Sequence, residues 1–334
     1  MTIRIAVIGA GVMGTDHARI VAGDLPGATL RVVCDADAAR ARLVADETGA
    51  ADVSTEPEAV IARGDVDAVL LASPDDTHAP LSVACIAAGK PVLCEKPLAP
   101  SGAECLEVIG AEVKAGRRLV QVGFMRRFDP AYVEMKAALD SGRLGRARMM
   151  HSFHRNVEVP PWFTDSMAIT NSAPHEFDIS RHVLGDDFAE INAFQPEPVE
   201  GQGIGPVVMV LKTRAGRLVT IEINNNARYG YDVRGEVVGD AASVMLATPV
   251  HSRINADLHL SETYAADWRP RFAEAYRQQN KDWLKTIETG TPSPVAASAW
   301  DGYLATCSAE AGVRALSDGC AIAIETAERP ALYA

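Results

Sequence analysis

Ile3-Arg4-Ile5-Ala6-Val7-Ile8-Gly9-Ala10-Gly11-Val12-Met13-Gly14, followed by Thr15 to Ala22, decides the fold. The first six residues are a largely β-branched run that predicts a strand, and Thr15 to Ala22 predicts a helix. Between them lies G-x-G-x-x-G, in the strand–turn–helix setting that gives the pattern its meaning. Each glycine has its own steric task. Gly9 permits the tight turn, Gly11 lets the backbone approach a pyrophosphate, and Gly14 allows the helix to pack closely on the strand. Val12 and Met13 sit in the turn, where the helix N-terminus offers N–H groups to phosphate oxygens.

The next strand strengthens the reading. Leu30 to Cys34 is apolar except for Arg31, and it ends at Asp35, 21 residues after Gly14. That is about the separation at which an acid meets an adenosine ribose in a dinucleotide-binding unit. A carboxylate there accepts hydrogen bonds from ribose hydroxyls and repels a 2′-phosphate. Ala36 and Asp37 supply no cation for such a phosphate, so NAD is expected rather than NADP. The bland alternative, that Asp35 merely starts a turn, is outweighed by the agreement of acid and glycines.

The alternation continues. Val66 to Ala72 reads as a buried strand, Leu81 to Ala88 as a helix, and Pro91 to Cys94 and Leu119 to Val122 as further strands. Strands alternating with helices predict a doubly wound α/β sheet, with its ligand at the carboxyl ends of the strands. Two strand ends are rich in chemistry: Ser73-Pro74-Asp75-Asp76-Thr77-His78 and Glu95-Lys96-Pro97. Ser73, Pro74 and His78 are expected under the nicotinamide half of the cofactor, although His78 could instead cap its own helix. Glu95 is expected to meet the nicotinamide ribose or to support its loop.

Bulk properties bound the rest. A chain of 334 residues suits two domains, and 48% hydrophobic residues read as globular. The net charge of −12 and the lack of a basic face argue against a nucleic-acid partner. No apolar run reaches the roughly 18 residues that span a bilayer, and the N-terminus reads as a first strand rather than a signal peptide. The six cysteines form no C-x-x-C pair, and several sit in apolar runs. A reducing cytoplasm is the natural expectation.

At Cys94-Glu95-Lys96-Pro97-Leu98-Ala99 the chain resembles the glucose-fructose oxidoreductase / inositol dehydrogenase / rhizopine catabolism (Gfo/Idh/MocA) superfamily. Five further stretches resemble its inositol 2-dehydrogenase branch, in family order across nearly the whole chain. They are Gly123-Phe124-Met125-Arg126-Arg127-Phe128-Asp129, His154-Arg155-Asn156, His175-Glu176-Phe177-Asp178, Tyr229-Gly230-Tyr231-Asp232 and Trp300-Asp301-Gly302-Tyr303. The resemblance implies a Rossmann domain over residues 1–122 that binds NAD. It implies an α+β domain over residues 123–334 for substrate and oligomerisation, built on a large, mostly antiparallel, open-faced sheet. It also implies a homotetramer. Ala147 to Asn156, Val207 to Thr213, Leu218 to Asn224, Tyr231 to Val238 and Ala242 to Leu246 all read as strands, with Ala215-Gly216 turning one hairpin.

The implied reaction oxidises a secondary hydroxyl of a cyclic polyol, myo- or scyllo-inositol, to an inosose. Such a reaction needs a base with a pKa near the working pH and a cation for the developing alkoxide. By resemblance the base is His175 and the cation Lys96, which bridges substrate and cofactor by donating to the alkoxide oxygen or to the nicotinamide ribose and whose bond to Pro97 is cis in relatives. Polyol contacts are implied for Arg126, His154, Asn156, Asn171 and Tyr231. Asn171 departs from the family, which carries Asp four residues before the histidine. Asn can orient a hydroxyl or the imidazole but holds no charge. This opens three readings: a working enzyme with a lower His175 pKa, a changed substrate preference toward a pyranose sugar or another cyclitol, or a crippled family reaction. Asp178 and His182, spaced i, i+4, read as structural rather than metal-binding, and the hydride chemistry needs no metal. Arg127 and Tyr229 also read as structural. Trp162 either covers the sugar face or packs, and Tyr276 has no direct role assigned. A reading of a different class is a non-catalytic NAD-binding sensor or scaffold, against which Lys96 and His175 argue.

Overall fold

The β-branched opening forms strand β1 (Ile3–Ile8), and its loop runs straight into the helix Val12–Gly23. This computed structural model describes residues 2–197, 204–247 and 253–334. After β1 come β2 (Ala28–Cys34), β3 (Asp52–Ser54), β4 (Ala68–Leu71), β5 (Val92–Cys94) and β6 (Val120–Val122). They pair in parallel in the order β6-β5-β4-β1-β2-β3, with the short strand Ala297–Ser298 added antiparallel to β6. Every residue of β4 is buried, as a parallel strand covered on both faces demands. The strand order reverses between β1 and β4, which places the ligand-binding crevice of such a sheet at their carboxyl ends. The covering helices carry local stop and start signals. Asp37 caps the helix Ala38–Thr48, Ser101 and Glu104 form a capping box on Gly102–Ala115, and Gly116 closes that helix in the left-handed region.

The second sheet contains β7 (Ala147–Arg155), β8 (Phe188–Phe194), β9 (Val207–Thr213), β10 (Leu218–Asn224), β11 (Asp232–Gly239) and β12 (Ser243–Met245). Its order is β12-β11-β7-β10-β9-β8, ending with Ile322–Ala323. The sheet is mixed: β7 and β10 run parallel, and the other pairs are antiparallel. The β9–β10 hairpin turns through Gly216 at φ +81°, as the Ala-Gly pair predicts. Alternation is strict in β9 and β10: Val207, Met209, Leu211, Val219, Ile221 and Ile223 face the core, while Val208 and Lys212 are exposed. A separate hairpin, β13 (Arg253–Ala256) with β14 (His259–Glu262), turns through Asp257 and Leu258 at positive φ and is exposed throughout.

The chain divides differently from the contiguous cut expected after residue 122. The first unit comprises Met1–Phe128, Glu274–Thr306 and Ala327–Ala334, and the second comprises Asp129–Ala273 and Cys307–Thr326. The physical reason is pairing that local pattern does not reveal. Ala297–Ser298 completes the first sheet. Arg127 is held by Asp301 at 3.0 Å. The Tyr333 hydroxyl donates to Glu112, whose carboxylate also accepts the Leu119 and Val120 amides.

Candidate active site

The glycine loop is shaped by close approach. A Cβ at Gly9 would run into the Ala72 carbonyl and the Ser73 nitrogen, and one at Gly14 would run into the Gly9 carbonyl. A Cβ at Gly11 meets nothing, so the backbone there stays open on the side a pyrophosphate would approach. Asp35, at the end of β2, accepts the Ala10 amide at 2.7 Å and the Asp37 amide at 2.9 Å. Its carboxylate therefore fixes the loop as well as standing at the ribose position. Arg40 lies 3.6 Å from Asp35, a cation that the reading of residues 36 and 37 alone missed. These features fit a dinucleotide: a bare loop, a helix N-terminus, and an acid at the second strand end.

Ser73 and Pro74 follow β4; Ser73 is half-buried and Pro74 exposed, with the Ser73 hydroxyl 2.6 Å from that of Thr77. His78 is held by backbone on two sides. It is 1% exposed, with Nδ1 2.7 Å from the Pro97 carbonyl and Nε2 3.0 Å from the Ser73 carbonyl. Both ring nitrogens are thus committed to backbone, and His78 clamps the Ser73 loop to the Lys96–Pro97 turn. Nor does it cap its helix. Burial opposes charge on this imidazole. The Cys94 sulfur, the Pro97 carbonyl and Asp75 more than offset that and push its pKa up to about 10.

Glu95 and Lys96 leave β5 at the same sheet edge. Glu95 is buried, and its Oε2 accepts the Lys96 amide at 3.2 Å. Lys96 is half-buried, and its bond to Pro97 is cis. Behind Glu95 lies His17, which the sequence reading did not single out. The available signal was a histidine three residues after Gly14, on the same face as Gly14, Ala18 and Val21, which the helix buries. Arg126 also belongs to this unit and is buried on the short helix Met125–Phe128.

The second unit gathers its own polar cluster. His154 on β7 and Tyr231 beside β11 stack edge to face at 6.0 Å, and the rings of His154 and His175 lie 6.5 Å apart. His154 Nδ1 is 3.1 Å from Glu176, which is fully buried. Glu176 immediately follows His175, and an acid inside a buried helix was the signal for it. Asn156 donates to Asn225 Oδ1 at 2.7 Å, and Ser172 donates to the same oxygen at 3.3 Å. Asn225 was likewise missed. Arg155 binds Glu222 through two nitrogens, and Tyr229 bonds Arg155 and Asp232, in keeping with a structural tyrosine.

The backbone carrying Asn171 and His175 is irregular in a specific way. Ala168–Ser172 forms a π-helical turn, closed by the Ala173 amide on the Ala168 carbonyl at 3.1 Å. Pro174 then opens the helix Pro174–Leu184, where its missing N–H costs nothing. Single π turns recur at functional sites because they re-aim side chains. His175 is 8% exposed. Trp162 lies on the irregular loop before this segment, 66% exposed. Among the described residues no group of three His, Cys, Asp or Glu is placed to hold a metal.

The sequence and the fold are similar to those of known proteins. Residues 3–124 match the family model described as oxidoreductase family, NAD-binding Rossmann fold, and residues 132–245 match the GFO/IDH/MocA C-terminal domain. The chain is 45% identical to inositol 2-dehydrogenase 1 of Saccharopolyspora erythraea, over 100% of this chain and 99% of the relative. It is 40% identical to the inositol 2-dehydrogenase of Streptomyces avermitilis, over 98% and 96%. The fold is similar to that of myo-inositol dehydrogenase from Lactobacillus casei in complex with NAD(H) and myo-inositol. That match has a TM-score of 0.95 and 27% identity, and covers 100% of both chains.

Proposed function

The chain belongs to the Gfo/Idh/MocA oxidoreductase family, and we propose that it is an NAD-dependent dehydrogenase that oxidises a secondary hydroxyl of a cyclic polyol, an inositol, to the ketone. The observation that carries this reading is full-length similarity to inositol 2-dehydrogenases. Bound NAD supplies the hydride acceptor. The chain's own residues manage the proton and the orientation. His175 accepts the hydroxyl proton as the carbon–hydrogen electron pair leaves, so the alcohol becomes a carbonyl, the cofactor is reduced and one proton is held on the imidazole. Lys96 stabilises the negative charge that develops on the alcohol oxygen. His154, Asn156, Asn171 and Tyr231 offer donors and acceptors that read the remaining hydroxyls.

Asn171 supports a narrower reading within the same reaction. The protonated His175 lacks an anion at position 171, so we assign this residue to substrate preference among inositols, related cyclitols and pyranoses. Asn171→Asp is expected to change both the pH–rate profile and the order of preferred substrates; an unchanged profile with unchanged order contradicts the assignment.

We further propose a homotetramer that associates through the outer face of the second sheet. That face leaves Phe194 54% and Val208 40% exposed, and Met149 and Phe153 on β7 are partly exposed. Light scattering on the eluting protein tests this. Cytoplasmic residence is supported by six free cysteines, five of them buried, and by the lack, among the described residues, of a helix long and apolar enough to cross a membrane.

The test is initial rates of NADH formation with a panel of inositols and pyranoses, with NAD and NADP compared. Turnover of an inositol with NAD is expected. Tight NAD binding with no reduction by any polyol would instead favour the sensor reading.

A further inference from the structure

In the first unit a buried polar chain joins the cofactor-binding helix to the lysine turn. His17 is 0% exposed. Its Nε2 lies 2.8 Å from Glu95 Oε1 and its Nδ1 3.0 Å from Asn280 Nδ2. An amide nitrogen only donates, so with Asn280 in this orientation Nδ1 accepts and the ring proton sits on Nε2, donated to the carboxylate. Tyr276 holds the ring from the side, edge to face at 5.6 Å. Glu95 is 5% exposed and fixed on three sides. His17 donates to one oxygen, the Lys96 amide donates to the other, and Gly123 lies so close that a Cβ there would stand 2.8 Å from Oε1.

Position gives this chain its consequence. His17 lies on the helix Val12–Gly23, three residues after Gly14 of the phosphate loop. Glu95 immediately precedes Lys96 and folds back onto its amide. Without the histidine, the carboxylate would lose its charge-assisted partner inside a dry site and rotate away from the Lys96 amide. We propose that His17 is a positioning residue: it holds Glu95, and through Glu95 it ties the cofactor helix to the turn that presents Lys96. The consequence for turnover rests on the proposed dehydrogenase activity. The consequence for Lys96 itself does not.

The experiment compares wild type, His17→Phe, His17→Gln, Glu95→Gln and the double variant His17→Phe/Glu95→Gln. Three readouts are used: kcat and KM with an inositol, NAD affinity by titration, and acylation of Lys96 relative to Lys136 in the NAD-free protein, followed by mass spectrometry. His17→Phe is expected to lower kcat by about 10–100-fold, the weight of a hydrogen bond to a charged group. NAD affinity and KM should change much less than kcat, because the glycine loop, Asp35 and the polyol-reading side chains are untouched. His17→Gln, which keeps a donor, should recover much of the loss. In the Glu95→Gln background the phenylalanine should cost little more, since the contact is already altered. Acylation of Lys96 should rise by about threefold or more as its turn loosens. Unchanged Lys96 acylation, or a kcat loss that adds in full to that of Glu95→Gln, overturns the proposal. If His17→Phe fails to fold, Asn280→Leu, which removes the partner on the far side of the ring, is read by the same two criteria. A wild-type protein inactive on every polyol refutes the dehydrogenase reading alone; Lys96 acylation still decides the role of His17.

Discussion

At the scale of single residues, His175, Asp35 and His78 show how burial and partners set what a side chain does. His175→Ala is expected to lower kcat by about 10²–10⁴-fold, the usual worth of a positioned base, while NAD titration stays unchanged. A variant that keeps full kcat would remove His175 from the chemistry. Asp35→Asn removes the charge that accepts the Ala10 amide and stands at the ribose position. NAD affinity should fall by about 10–100-fold, read by titration. His78 provides a pH test. Its pKa is raised from 6.5 to about 10 in the folded chain. The folded state therefore keeps a proton that the unfolded chain releases, and the stabilisation is complete below pH 6.5 and is lost as pH rises toward about 10. The melting temperature of wild type should decline across that window more steeply than that of His78→Gln; parallel curves would contradict the clamp. The residues legible in the sequence were those inside a motif or a strand end. His17, Asn225 and Asn280 were not, and Glu176 stood in a motif without a role read for it, because their roles depend on partners 22 to 263 positions away.

At the scale of elements, the glycine loop and the π turn behave oppositely. The loop follows from local sterics. Gly14→Ala puts a methyl group into the Gly9 carbonyl, and the helix must move off β1. A loss of roughly 1–3 kcal/mol in stability is expected from such overpacking, with weakened NAD binding, checked by denaturant titration and cofactor binding together. The π turn at Ala168–Ser172 carries no comparable sequence mark. Pro174 predicts where the following helix begins, but not that the preceding turn closes on i−5. Strands fared in the same way. β9 and β10 match their expected limits because their alternation is clean, whereas Phe188–Phe194 was not anticipated, since polar Glu190 and Asn192 share its outer face with an exposed Phe194.

For the whole molecule, the doubly wound sheet was legible because it is written in periodicity and turn residues, whereas a mostly antiparallel second sheet was implied by the family resemblance and the parallel pairing of β7 with β10 was not anticipated. Nor was the division of the chain. Residues 274–306 and 327–334 return to the first unit through contacts distant in sequence, among them the two-residue strand Ala297–Ser298, Asp301 on Arg127, Asn280 on His17 and the Tyr333 hydroxyl on Glu112, which no local pattern announces. Truncation before Ala327 should therefore destabilise the first unit. Burial pushes the Glu112 pKa up despite its hydrogen bonds, and losing Tyr333 removes one of them. The measurement that bears most directly on the central claim uses myo-inositol carrying deuterium on its ring carbons, with the reduced cofactor analysed by mass spectrometry. One deuterium is expected in each nicotinamide formed and one ketone for each turnover, both abolished in His175→Ala. Bound NAD that acquires no deuterium from any inositol would contradict it.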